Sequence, residues 1–143
     1  MNSYVVDANV WLALVVDGHP HSARSVEWFE GIAVADAAIC RIVQLALMRL
    51  LANRTVMGDA VLSASQAWSR VVQLLQDERV IFLPEPRELE TILPSLLRYP
   101  VPTQNLINDA YLAAFAICSN RELVTWDRGF QQFRGLRVKL LNA

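Results

Sequence analysis

Apolar residues along this chain alternate between short β-branched runs and longer stretches with helical spacing, and their order predicts the architecture. Ser3 to Val6 is a β-type run ending at Asp7, and Val10 to Val16 follows with helical character and Asn9 placed to cap it. After a turn at Asp17-Gly18, His19-Pro20-His21-Ser22 leads into a second helix marked by Ala23, Val26, Trp28 and Phe29, which stops near Gly31. Ala37 to Cys40 fits a short buried strand. Arg41 to Leu51 is apolar on nearly every face, so it belongs in the interior or in an interface. Gly58-Asp59 is expected to start a fourth helix running to Gln76.

Val80 to Leu83 is a compact β-type run bounded by Pro84 and Pro86, and Glu88 to Leu97 has helical spacing interrupted at Pro94. Tyr99-Pro100-Val101-Pro102 reads as a rigid connector. Asn105 to Ser119 is a further helix, with Ala110, Ala113, Ala114 and Ala116 permitting close backbone packing. Glu122 to Thr125 follows as a strand, then a turn at Trp126-Asp127-Arg128-Gly129 and a closing strand at Val138 to Leu141. Strands alternating with helices imply an α/β fold in three layers, α/β/α, with a mostly parallel central sheet. Residues 1–143 fit a single domain, with no internal repeat or linker.

Composition narrows the function. Apolar residues make up 54% of the chain, enough for a sizeable core, and with four tryptophans they leave apolar surface that suits a protein partner. The formal charge of -1 excludes nucleic-acid binding through bulk charge, so any such contact must be local. Twelve of the thirteen cations are arginine and Lys139 is the single lysine, which favours fork-like pairing with phosphate or carboxylate. Cys40 and Cys118 lie far apart in apolar surroundings and read as buried thiols. The N-terminus lacks a cationic leader, and no stretch approaches the roughly 18 apolar residues of a membrane span, so a cytoplasmic protein is expected.

In an open α/β sheet, ligands bind beyond the carboxyl ends of the strands, which singles out the acids placed there. Asp7 ends the first strand, Asp127 follows the Leu123-Val124-Thr125 strand, and Asp109 opens the alanine-rich helix. Singly, each has an ordinary structural reading: Asp7 as a turn or cap residue, Asp109 as a cap, Asp127 as part of a turn with Gly129. Together in one crevice they would repel one another and raise at least one pKa unless a cation neutralised them. Hard oxygen donors without clustered sulfur or imidazole point to Mg²⁺ or Mn²⁺. His19 and His21 lack the further ligands that a zinc site requires.

Four segments, in order, resemble the motifs of PIN-domain nucleases, in particular VapC-type toxins. They are Val5-Val6-Asp7-Ala8-Asn9-Val10-Trp11-Leu12, the central run from Cys40 to Leu51, Asn108-Asp109-Ala110-Tyr111-Leu112-Ala113-Ala114, and Leu123-Val124-Thr125-Trp126-Asp127-Arg128-Gly129-Phe130. The resemblance spans the whole chain. It implies a metal-dependent endoribonuclease that hydrolyses RNA with a metal-activated water and acts as the toxin of a VapBC-type pair. Asp7, Asp109 and Asp127 match the family's acidic positions as catalytic and metal-holding residues. Thr125 would hold Asp127 or a water, and Asn9 would cap the first helix or support the site from behind. The implied partners are an RNA substrate, a VapB-like antitoxin lying across the crevice and a second copy of the chain, with DNA reached only through the antitoxin complex.

Gln44 departs from the pattern, since many PIN nucleases carry glutamate in the central helix. An amide offers a carbonyl oxygen but no charge. The site is either a weaker cation binder that still cuts, which is favoured, or a catalytically weak or inactive PIN-like module that binds RNA or protein. Arg41, Arg49 and Arg128 are candidates to approach RNA phosphates. Trp11 and Trp126 are candidates for base stacking, against the commoner role of core residues. Phospho-receiver and haloacid-dehalogenase-like domains also begin with a strand ending in aspartate. The dehalogenase pattern needs aspartate where Asn9 stands, and both families want a lysine near the site, for which Lys139 lacks the usual neighbours.

Overall fold

The computed structural model describes residues 3–98 and 105–142, so the proposed connector at Tyr99 to Pro102 lies outside the described residues. Five short strands, β1 (Tyr4–Val6), β2 (Ala37–Ile39), β3 (Val80–Phe82), β4 (Glu122–Thr125) and β5 (Val138–Leu140), form one sheet in the order β3-β2-β1-β4-β5. Every pairing among them is parallel. The inner strands lack polar alternation because helices cover both faces. Val5, Val6, Ala37, Ala38, Ile39, Leu123 and Val124 are fully buried.

The helices are α1 (Ala8–Val15), α2 (Ser22–Glu30), α3 (Arg41–Leu51), α4 (Arg54–Met57), α5 (Ala64–Leu74), α6 (Leu89–Leu96) and α7 (Leu106–Cys118), giving the three-layer α/β/α arrangement. On α3 the buried stripe is Val43, Gln44, Leu47 and Leu51, while Leu45 faces outward and is exposed. The small residues of α7 serve as expected: Ala110, Ala113, Ala114 and Ala116 are fully buried. Chain order runs outward from β1 through β2 to β3, then returns to β4 and β5. The switch in direction therefore falls between β1 and β4, and a crevice opens at their carboxyl ends.

Several boundaries differ from the sequence reading. Asp7, not Asn9, caps α1, its carboxylate accepting from the Ala8 N–H at 2.7 Å. The helix expected from Gly58 begins instead at Ala64. Gly58 has φ +59° and ψ −131°, which no helix interior admits, and Ser63 and Gln66 form a reciprocal capping box. Before it, Asn53 caps the one-turn helix α4 through the Thr55 N–H. Pro94 does not interrupt α6, because in so short a helix its missing N–H costs one bond and its carbonyl still accepts from Leu97 at 3.3 Å. Cys40 is buried as expected, whereas Cys118 is only partly so.

The capping box can be tested alone. Ser63→Ala should lower the unfolding free energy by about 1 kcal/mol, read as a shift in the denaturant midpoint with the slope unchanged.

Candidate active site

The ends of β1 and β4 are tied together by one hydroxyl. Pairing carries the Asp7 N–H onto the Val124 carbonyl at 2.9 Å, which sets Asp7 beside Thr125. The fully buried Thr125 Oγ1 donates to Asp7 Oδ2 at 2.8 Å and accepts from the Asp127 N–H at 3.0 Å. It accepts a longer bond from Asn9 Nδ2 at 3.4 Å. A hydroxyl has one proton and two lone pairs, so this one is fully used. Asn9 completes the bridge, its Oδ1 accepting from the Trp126 N–H at 3.3 Å. Asn9 therefore supports the crevice rather than capping α1.

Asp109 enters from the first turn of α7. Asp7 and Asp109 line one pocket of about 110 Å³ with Ile42, Val43, Ala46, Arg49, Asn108 and Leu112 among its walls. Asp127 does not line that pocket; it is exposed, and its Oδ1 accepts from the Gly129 N–H at 2.8 Å. Its charge still reaches both neighbours. The Asp109 carboxyl is pushed up to about 6, by burial first and then by the charges of Asp127 and Asp7. Burial also raises Asp7, aided by the charge of Asp127 and opposed by the bonds from Thr125 and Ala8. Carboxyls raised by burial and like charge would be relieved by a nearby cation.

Among the described residues, no three acidic, histidine or cysteine side chains are gathered closely enough to enclose a cation by themselves. The donor chemistry still fits a hard cation. Asp7 and Asp109 present carboxylate oxygens to shared space, and Mg²⁺-type ions commonly take one or two carboxylates and complete their shell with water and phosphate.

Gln44 is buried on α3, and its Oε1 accepts from Arg41 Nη1 at 2.6 Å. The Arg41 guanidinium also lies over the Phe82 ring at 4.9 Å and the Trp68 ring at 5.8 Å. Of the three arginines singled out by sequence, Arg49 lines the pocket, Arg41 is held in this aromatic slot, and Arg128 is exposed in the 3₁₀ turn after Asp127. Trp11 is fully buried, its indole N–H donating to the Val6 carbonyl at 3.0 Å, so it is a core residue. Trp126 is partly exposed and stacks on His21.

Sequence reasoning missed Ser25, which is fully buried and accepts from the Trp126 indole at 3.1 Å. It also missed the Tyr111 hydroxyl donating to Glu85 Oε1 at 2.9 Å, on the same helix as Asp109. Neither pairing leaves a mark in local sequence. The Cys40 thiol, beside Asp7, is pushed up to about 11 by burial, so it stays protonated and is no nucleophile.

A parallel α/β/α domain with acidic side chains at its switch point defines a class of oxygen-donor sites suited to phosphate chemistry. The family model described as PIN domain matches residues 4–136, and the chain belongs to the PIN-domain family. Ribonuclease VapC41 of Mycobacterium tuberculosis (strain ATCC 25618 / H37Rv) is 39% identical over 140 residues, covering 94% of this chain and 96% of that protein. The structure of VapBC-1 from nontypeable Haemophilus influenzae matches with a TM-score of 0.70 at 17% identity, over 98% of each chain. That of VapBC2 from Rickettsia felis, bound to a DNA fragment from its promoter, matches with a TM-score of 0.65 at 20% identity, over 96% of this chain and 97% of the other. At such identities the two structures bear on the fold.

Two outcomes follow from the electrostatics. The native pKa of Asp109, about 6, lies above its unfolded value near 4, so the native state binds that proton more tightly and loses the advantage as pH rises from about 4 to 6. Without divalent cation, Asp109→Asn should remove on the order of 1 kcal/mol of this decline, allowing for solvent screening, as read by thermal unfolding at both ends of the window. Gln44→Glu should pair with Arg41 rather than reach a cation, leaving Mn²⁺ affinity within about threefold by calorimetry; a tenfold gain would place that side chain on the ion.

Proposed function

We propose that residues 1–143 form a single-domain, metal-dependent endoribonuclease that acts as the toxin of a toxin-antitoxin pair in the cytoplasm. The observation that carries this reading is the pocket shared by Asp7 and Asp109, whose carboxyls are raised first by burial and further by the charge of Asp127. A relative covering nearly the whole chain is named as a ribonuclease, which supports RNA as the substrate.

Asp7 and Asp109 hold Mg²⁺ or Mn²⁺ across the pocket, and Asp127 contributes charge at its rim. A bound cation of this kind lowers the pKa of a water, polarises a phosphoryl oxygen and stabilises the leaving oxygen. Thr125 fixes the orientation of Asp7, and Asn9 holds the Thr125-Trp126 backbone against α1. Arg49, on the pocket wall, receives a substrate phosphate. Arg128 meets the RNA backbone further out, while Arg41 stays with Gln44.

The exposed apolar side chains Leu45 on α3, Trp68 and Val72 on α5, Leu75 just after it and Phe82 on β3 support docking of an antitoxin. Three of the structures similar to this one carry VapBC names and two of these are bound to DNA, which supports contact with DNA through the antitoxin complex. A homodimer is part of the same proposal. Among the described residues no helix is long and apolar enough to cross a membrane.

Purified protein should cleave total RNA with Mg²⁺ or Mn²⁺, and chelator should stop it. Asp7→Asn should lower the rate by at least about 100-fold without loss of fold. Intact RNA after incubation with folded wild type and either cation would favour the binding-module reading, for which Gln44 is the motivating residue.

A further inference from the structure

We propose that His21, stacked on Trp126, is a platform for an unpaired nucleobase of the RNA, seated beside the acidic crevice. The inference rests on the ribonuclease reading and adds to it the place where a base is held. Trp126 immediately precedes Asp127, so the platform starts one residue, about 3.8 Å between Cα atoms, from the rim of the site.

Trp126 is pinned at several points. Its N–H donates to Asn9 Oδ1 at 3.3 Å, its carbonyl accepts from Asn142 Nδ2 at 3.1 Å, and its indole N–H donates to the buried Ser25 at 3.1 Å. A ring held this way cannot turn to meet a ligand, and one of its faces is already covered. The His21 imidazole lies on it with centroids 3.9 Å apart and planes 16° apart. Core aromatic pairs adopt edge-on or tilted arrangements instead, as in Tyr4–Trp28 at 82° and Trp11–Phe29 at 72°.

A parallel stack spends one face of each ring, and His21 remains exposed, with the His19 ring tilted at 45° and its centroid 5.6 Å away, so part of the imidazole still meets solvent. The His21 N–H donates to His19 Nδ1 at 3.0 Å, which ties the two residues and leaves Nε2 of neutral His19 as a donor near the platform's edge. With that nitrogen occupied and the His21 ring flat against an indole, the pair is built for stacking rather than for a metal. A planar, solvated, pre-ordered ring beside an acidic crevice suits a splayed base of single-stranded RNA, because every base has a π-face. Trp126, considered from sequence as a stacking residue, thus supports the platform from beneath, and His21 makes the contact.

The test compares wild type, His21→Ala and His21→Phe, in calcium buffer, by fluorescence anisotropy with two labelled strands. One is a single-stranded RNA decamer of mixed sequence and the other is the same ribose-phosphate chain with abasic positions. His21→Ala should weaken binding of the base-bearing strand about tenfold, His21→Phe should restore most of it, and the abasic chain should bind all three proteins alike. Equal binding of the base-bearing strand by wild type and His21→Ala would overturn the platform. An equal loss on the abasic chain would also overturn it, making His21 a phosphate contact or a positioner of Asp127. Cleavage of total RNA by wild type is followed in parallel. Cleavage with His21-indifferent binding sinks the platform alone, whereas base-dependent binding without cleavage sinks the nuclease reading.

Discussion

Like charges collected at the open end of a parallel sheet are the constraint around which this molecule is organised. Asp7 follows β1, Asp109 opens α7 and Asp127 follows β4; burial raises the carboxyls of Asp7 and Asp109, and the charge of Asp127 adds to it. Burying carboxyls beside a like charge costs stability in the free protein. The neighbours restrain the acids without neutralising them. Thr125 and the Ala8 N–H hold Asp7 in place, the Gly129 N–H holds Asp127, and the available arginines stand on the wall or the rim rather than between the carboxylates.

That crevice is a consequence of topology before it is one of side chains. Because β1 is central and the chain reverses its outward course between β1 and β4, the carboxyl ends of those two strands flank the crevice. The alanines of α7 let its backbone pack closely, which brings the first turn of that helix to the same opening. Gln44 shows how the fold adjusts where an acid is replaced by an amide. Its oxygen accepts from Arg41, whose guanidinium lies over the Phe82 and Trp68 rings, so in this structure the amide is occupied by a hydrogen bond.

Periodicity sufficed for the layers of the fold and for most elements, since α3, β4 and β5 are recognisable from apolar spacing alone. It failed where local polar geometry outweighed spacing. Gly58 has a positive φ that the interior of an α-helix does not admit, and the start of α5 is decided by a Ser63–Gln66 exchange that apolar patterning does not register. In the site, the acids stood out because chemistry concentrates at strand ends. The contacts that position them were hidden because they join residues far apart in the chain, as Thr125 does with Asp7 and Trp126 with Ser25. Sequence also could not say that Asp127 would sit at the rim with its oxygen tied to Gly129 while Asp7 and Asp109 share the pocket.

The central claim is that pooled negative charge in this crevice captures one hard ion, and proton release on binding reports it most directly. Mn²⁺ is titrated into the protein near pH 6 by calorimetry in two buffers of different ionisation enthalpy. A single site should fill and expel a fraction of a proton, chiefly from Asp109, with both binding and release lost in Asp109→Asn. Binding that releases no proton, or no saturable binding in folded wild-type protein, would contradict it.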